Sequence, residues 1–209
     1  MKLYYKAGAC SQAIHISLRE LGIEFTLDAV DRATGLTASG IEYKTKVPEG
    51  YVPALELDDG EVLTEGVAIQ QYLADAHPES GLAPPPATVA RAHFNGFLNW
   101  LSSELHKSFS PFFKQQLDEA GRAIATQNLA SRMDLLEARL SDGRPFTTGT
   151  SFSVADPYTF VVTGWAERLG ISLESWPQIA AFRARMLERA SVRDALRAEG
   201  LLEEGATSA

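Results

Sequence analysis

The sequence predicts a small mixed α/β domain followed by an all-α domain, and three observations carry that prediction. The first part alternates short apolar runs with a helical pattern, Pro84-Pro85-Pro86 interrupts the chain, and the later segments repeat apolar residues at helical spacing. The expected division is therefore an α/β domain over residues 1–78, a linker over 79–87 and a helical domain over 88–209. Consecutive prolines forbid helix and favour an extended, stiff path, which is why the linker is placed there.

In chain order, Leu3-Tyr4-Tyr5 forms a first strand and Gly8 turns the chain. Ala13, Ile14, Ile16, Leu18 and Leu21 then mark a helix that begins near Ser11 and stops at Gly22. Phe25, Leu27 and Ala29 alternate with polar residues as a second strand. Asp31 to Gly50 shows little periodicity and reads as irregular or as a weakly formed helix. Tyr51 to Leu57 and Glu61-Val62-Leu63 flank Asp58-Asp59-Gly60, an Asp-Gly hairpin signal. Pro53 cannot donate to a ladder, so it stands at the first position of its strand or in the turn before it. Its bond to Val52 is trans, the commoner form, or cis, which would expose backbone groups to an extended ligand. Thr64 or Glu65 opens a helix through Val67, Ile69, Tyr72 and Leu73 that ends near His77-Pro78. Helices follow at about Thr88–Phe113, Glu119–Ser141, Ser153–Leu169, Trp176–Arg189 and Ser191–Ala198.

Cys10, the single cysteine, falls where a strand runs into a helix mouth. Unpaired N–H groups and the positive end of the helix dipole converge there and favour a thiolate. The competing reading is a small buried hydrophobe. On the helix around Asn99, a spacing of 100° per residue gathers Phe94, Leu98, Leu101, Leu105 and Phe109 into a core arc of roughly 80°. Asn99, Ser103, His106 and Lys107 share an opposite arc of about 100° with Glu104 on its flank, either a solvated face or one suited to carboxylates and peptide groups. Ser153 is predicted to cap a helix, with the Asp156 carboxylate reaching back to the Ser153 N–H, a structural motif.

The composition excludes several classes. Of 209 residues, 45% are hydrophobic and 22% charged, which suits one large domain or two small ones. A net charge of −8, from 27 acidic against 19 basic residues, argues against nucleic acid or an anionic membrane as main partner. One cysteine makes no internal disulfide and the start carries no charged-then-apolar leader, so a cytoplasmic protein is expected. No apolar run approaches the roughly 18 to 20 residues that span a bilayer. His15, His77, His93 and His106 have no spacing that pairs two ligands beside a carboxylate or thiolate, so no metal is expected.

Five segments together resemble the cytosolic glutathione transferases, most closely the bacterial beta class, over essentially the whole chain. They are Leu3-Tyr4-Tyr5 with Gly8-Ala9-Cys10-Ser11; Gly50-Tyr51-Val52-Pro53-Ala54-Leu55; Leu63-Thr64-Glu65-Gly66-Val67-Ala68-Ile69; the helix carrying Asn99 to Lys107; and Ser153 to Asp156. The resemblance implies a thioredoxin-like N-terminal domain, an all-helical C-terminal domain with a hydrophobic substrate site, and a homodimer acting in detoxification or redox chemistry. Glutathione would be the co-substrate, bound between the domains. Cys10 would sit against the glutathione sulfur and form a mixed disulfide with it. Val52 would pair its backbone with the cysteinyl part, which calls for a cis Pro53. Glu65 and the N–H of Gly66 would hold the γ-glutamyl end. Asn99, Ser103, Glu104, His106 and Lys107 would line the site from the helical domain, with Asn99, Ser103 or Glu104 as candidates to reach across the dimer. Tyr5, Ala9 and Tyr51 complete the implied binding set.

The sequence departs from that pattern at three places. Relatives often carry lysine at the place of Gly35, serine at Gly66 and Asn-Pro-Lys at Val47-Pro48-Glu49. Lys44, Lys46 and Lys107 are the remaining cations for the glycyl carboxylate, so weaker glutathione binding is expected. Cys10 and His106 are the expected catalytic pair: Cys10 attacks a glutathione-bearing disulfide and His106 accepts or donates the proton. Tyr5 and Ser11 offer an alternative, activation of glutathione by a hydroxyl. The second substrates would be small hydrophobic electrophiles or disulfides, with Phe112 and Phe113 either an apolar wall or ordinary core aromatics. A non-catalytic carrier of glutathione or hydrophobic ligands is the reading outside the enzyme class.

Overall fold

In the computed structural model, residues 1–114 and 116–202 are described. The chain divides into two units, Met1–Gly81 with Leu187–Ala209, and Leu82–Met186. The first unit is built on strands β1 (Lys2–Tyr5), β2 (Thr26–Ala29), β3 (Ala54–Glu56) and β4 (Val62–Thr64), ordered β2-β1-β3-β4. β1 and β2 run parallel; β3 is antiparallel to both β1 and β4. This mixed sheet is the thioredoxin-like arrangement.

Register explains the two faces. Leu27, Leu3, Leu55 and Leu63 are aligned partners across the sheet, so alternation puts them on one face. There they pack with Ile14 and Leu18 of α1 (Ser11–Glu20) and Ile69 and Leu73 of α2 (Gly66–Ala76). Tyr4 and Ala54 point the other way, against Tyr43 and Val47. The stretch that lacks periodicity, 31–50, therefore holds the second face with two buried anchors, an isolated pair of β-bridges and one turn of 3-10 helix at Tyr43–Thr45. A periodic pattern is not needed when two side chains do the burying.

Gly22 ends α1 as expected. It adopts φ +65, while the Ile23 N–H reaches the Leu18 carbonyl at 3.1 Å and the Gly22 N–H reaches Arg19 at 3.1 Å, closing the helix with left-handed backbone.

The second unit holds α3 (Val89–Trp100), α4 (His106–Ser108), α5 (Ser110–Lys114), α6 (Glu119–Leu140), α7 (Ala155–Arg168) and α8 (Pro177–Leu187, to Met186). Thr88 caps α3 by accepting from the Arg91 N–H at 3.1 Å, and Asp118 caps α6 through the Gly121 N–H at 2.8 Å. The predicted core arc is buried throughout, from Phe94 to Phe109. The single helix expected over 88–113 is instead interrupted: Leu101–Leu105 forms a π-helical turn between α3 and α4. The Ser102 and Ser103 hydroxyls donate to the Asn99 carbonyl there, at 3.1 and 2.9 Å, competing with the regular ladder.

The last helix, α9 (Ala190–Ala198), belongs with the first unit, although its period alone groups it with the helical segments. It packs on α1, burying Val192, Ala195 and Leu196, and Glu20 of α1 receives Arg189 and the Ser191 hydroxyl.

The capping motif before α7 needs a correction. Asp156 does accept from the Ser153 N–H at 2.7 Å, but the Ser153 hydroxyl donates to the same carboxylate at 2.9 Å and caps no helix N–H. The helix begins at Ala155, so Pro157 falls third, where its missing N–H forfeits no helical bond. The other Asp156 oxygen takes the Thr147 N–H and hydroxyl, both at 2.7 Å. Burial raises this carboxyl, and these four donors pull the other way.

Candidate active site

The turn after β1 is closed by short-range bonds. The Ala9 N–H meets the Lys6 carbonyl at 3.0 Å, and the buried Ser11 hydroxyl accepts from the Lys6 N–H at 3.1 Å and contacts its carbonyl at 3.2 Å. This clip presents Cys10, half-buried, as the residue capping α1. Its thiol donates to the Val52 carbonyl at 3.3 Å. The Val52–Pro53 bond is cis, and the Tyr43 hydroxyl anchors the segment by donating to the Tyr51 carbonyl at 2.7 Å. The Tyr51 ring itself is exposed.

Pro53 reaches the mouth of α2. A Cβ placed on Gly66 would lie 3.6 Å from Pro53 Cγ, ordinary contact. Glu65, just before it, is exposed and has φ 64, a left-handed conformation rare outside glycine and asparagine. Its carbonyl starts the helix through the Ile69 N–H at 3.0 Å. Cys10, Val52, Pro53, Glu65 and Gly66 thus form one patch, with Ala9 and Tyr51 adjoining in the chain. Backbone groups at a helix mouth next to a thiol suit an extended anionic peptide.

A buried carboxylate supports this patch from below. Glu199, at the end of α9, accepts from the Gly8 N–H at 2.8 Å, Gln12 Nε2 at 2.9 Å and His15 Nδ1 at 2.9 Å. Arg19 Nε donates to His15 Nε2 at 2.9 Å, so the His15 proton sits on Nδ1, toward Glu199. Sequence reasoning missed Glu199, which lies 191 residues from Gly8 and has no local motif. Tyr43 was missed for the same reason.

The two hydroxyls offered as alternative activators sit differently. Ser11 is buried in the Lys6 clip. Burial, then the Glu199 charge, raises the Tyr5 phenol above its ordinary value and keeps it protonated. Of the cations proposed to replace a lysine at Gly35, Lys46 pairs with Glu56 at 3.3 Å. Gly35 itself has φ +76, so a side chain there would be strained even though space is open.

In the second unit, Asn99, Ser103, Glu104 and Lys107 are exposed. Glu104 is paired with Arg132 at 3.1 Å. His106 is less exposed than these four. The π turn re-registers the chain, and His106 is half-buried with Nδ1 2.9 Å from the Tyr158 hydroxyl. Its ring meets Trp165 edge-on at 4.8 Å. Burial, with the Lys107 charge second, lowers His106 to about 4, so the imidazole is neutral at pH 7. Trp165 also takes Phe109 at 5.6 Å and Phe113 at 5.5 Å, while Phe112 lies under Arg122. Phe109 is core and Phe113 is exposed. Tyr158 and Trp165 carried no sequence signal, because α7 is apolar around much of its circumference and shows no distinct face.

Comparison with known proteins identifies the architecture. Residues 7–76 match the glutathione S-transferase N-terminal domain and residues 92–190 the C-terminal domain. The chain is 44% identical over 201 residues to glutathione S-transferase GstA of Escherichia coli O157:H7, covering 96% of this chain and all of that one. A sphingomonad glutathione S-transferase complexed with glutathione superposes with a TM-score of 0.91 at 41% identity, covering 97% and 100% of the two chains. A bacterial beta class glutathione S-transferase of Sphingomonas chungbukensis gives 0.92 at 41%, with the same coverage. The chain belongs to the glutathione S-transferase family.

Proposed function

We propose that this protein is a beta-class glutathione transferase that binds glutathione at the Cys10 patch and either transfers it to electrophiles or exchanges it with mixed disulfides. The Cys10 thiol 3.3 Å from the Val52 carbonyl carries this reading, because it puts a nucleophile beside the backbone that would pair with the tripeptide. Glu65 and the Gly66 N–H hold the γ-glutamyl group; Tyr5, Ala9 and Tyr51 flank it. Asn99, Ser103, Glu104, His106 and Lys107 keep the ligand roles that the family resemblance implies, and His106 serves the sulfur.

In exchange, the Cys10 thiolate attacks the glutathione sulfur of a mixed disulfide and the other thiolate leaves. A second glutathione thiolate then attacks Cys10–S–SG, releasing oxidised glutathione and restoring Cys10. The lone cysteine favours a cytoplasmic setting, and the family resemblance a homodimer and small hydrophobic second substrates. Among the described residues no helix is long and apolar enough to cross a membrane.

Cys10→Ala tests the reading. Disulfide exchange is expected to fall at least about 100-fold while glutathione binding by calorimetry persists, the scale expected when a nucleophile is removed. Unchanged exchange would sink the cysteine mechanism. Binding by the wild type without turnover on any electrophile or disulfide would mark a carrier instead.

A further inference from the structure

The far end of α1 carries a cation that the Cys10 patch does not use. Arg19 lies nine residues beyond Cys10, about 13 Å along the helix at 1.5 Å per residue, and lines a cavity of about 820 Å³. Its Nε donates to His15 Nε2 at 2.9 Å, and the buried His15 is held in turn by Glu199 at 2.9 Å. The guanidinium carbon stands over the Phe25 ring at 5.8 Å. Nε and one face are thereby fixed, while the two terminal nitrogens make no hydrogen bond among the described residues. Ile23, Phe25 and Leu27 form the apolar wall of the cavity, each half-buried and packed against the core of Leu3, Ile14 and Leu18. Two carboxylates also line it: Asp58 is paired with the N-terminal ammonium at 2.5 Å, and Glu24 is exposed.

We propose that this cavity binds a small aromatic carboxylate, with the carboxylate on the Arg19 fork and the ring against Phe25. A guanidinium presents parallel N–H groups that match the two oxygens of a carboxylate. Holding Nε on His15 removes rotamer freedom that an unanchored arginine would lose on binding, which favours this arginine over solvated ones. Its single unshared charge balances one negative charge, and Glu24 beside it repels a second, so a doubly charged phosphate is disfavoured. The wall decides the rest of the ligand. An apolar body of ring size covers Ile23, Phe25 and Leu27, and an aromatic one gains from Phe25 beyond the area buried. The volume falls within the range of about 300–1,000 Å³ usual for small-molecule sites. Every lining residue belongs to the first unit, and the site stands independently of glutathione at Cys10.

The test is 1H–15N NMR of the full-length protein titrated with 1-naphthoate, with 1-naphthylmethanol as the uncharged control. The backbone amides of Ile23, Phe25 and Leu27 and the Arg19 Nε–H are expected to shift saturably with the acid. The alcohol should bind there at least about tenfold more weakly, the scale of a lost hydrogen bond to a charged group. Arg19→Gln should weaken the acid by a similar factor and leave the alcohol unchanged. No saturable shift at these positions, equal affinity for acid and alcohol, or an Arg19→Gln variant that binds the acid as tightly as the wild type overturns the proposal. The comparison of acid with alcohol needs only the wild type, so it decides the matter even where Arg19→Gln, which loses the His15 bond, fails to fold.

Discussion

The patch around Cys10 and the setting of His106 are built by opposite means. Around Cys10 the groups that matter are backbone: the Val52 carbonyl, the Gly66 N–H and the turn closed on Lys6. Around His106 they are side chains from a distant helix, the Tyr158 hydroxyl and the Trp165 ring. A backbone site is written in local punctuation such as Gly8, Pro53 and Gly66, whereas a side-chain site depends on which helix faces meet. The comparison teaches where substitutions should act through support and where through chemistry.

The sharpest break is expected beneath the Cys10 patch. Glu199→Ala removes the acceptor shared by the Gly8 N–H, Gln12 and the neutral His15 and should cost about 3–5 kcal/mol, because several buried donors lose a charged acceptor at about 1–3 kcal/mol each. Urea unfolding checks this; a loss below 1 kcal/mol would show that the carboxylate is dispensable.

His106 should give the next largest effect, and only in acid. Its folded value of about 4 lies below the unfolded value near 6.5, so the unfolded chain binds more protons between those limits. Stability contributed by the neutral ring is present above pH 6.5 and is lost as pH falls toward 4, by roughly 3 kcal/mol. His106→Gln should flatten that part of the stability-pH curve, and an unaltered slope would place the acid sensitivity elsewhere.

Smaller effects test the exposed groups on each side. Glu104→Ala breaks a surface pair with Arg132 and should cost under about 1 kcal/mol. Any larger loss of glutathione affinity, read by calorimetry, would then report ligand contact. Gly66→Ser adds a side chain that meets Pro53 only at ordinary distance, so thermal stability should stay within about 0.5 kcal/mol. KM for glutathione is expected to fall a few-fold through the extra hydroxyl, about the net worth of one hydrogen bond. A large destabilisation would mean that the Pro53–Gly66 approach is tighter than it looks.

The βαβ opening, the Asp-Gly hairpin, the proline break, the Gly22 stop and the core arc from Phe94 to Phe109 were legible in the sequence and recur in the structure. Each depends on the period or the chemistry of neighbouring residues, which a linear pattern records. Cys10 at a helix mouth was legible for the same reason. The polar arc at Asn99–Lys107 was read at constant helical period, whereas the structure places a π turn within it at Leu101–Leu105. The Ser153 hydroxyl caps no helix N–H because it donates to the Asp156 carboxylate, and the helix begins two residues later, at Ala155.

The sequence by itself determined which segments become strands and helices, which faces are apolar, and that a thiol meets a helix mouth, because these follow from nearest-neighbour chemistry. Tertiary structure alone decided that Glu199 holds the Cys10 turn, that Tyr43 anchors the Val52 segment, and that Tyr158 and Trp165 set the His106 ring. Those contacts join residues remote in the chain, and burial sets their strength: a carboxylate or imidazole removed from water must find its partner wherever packing brings one.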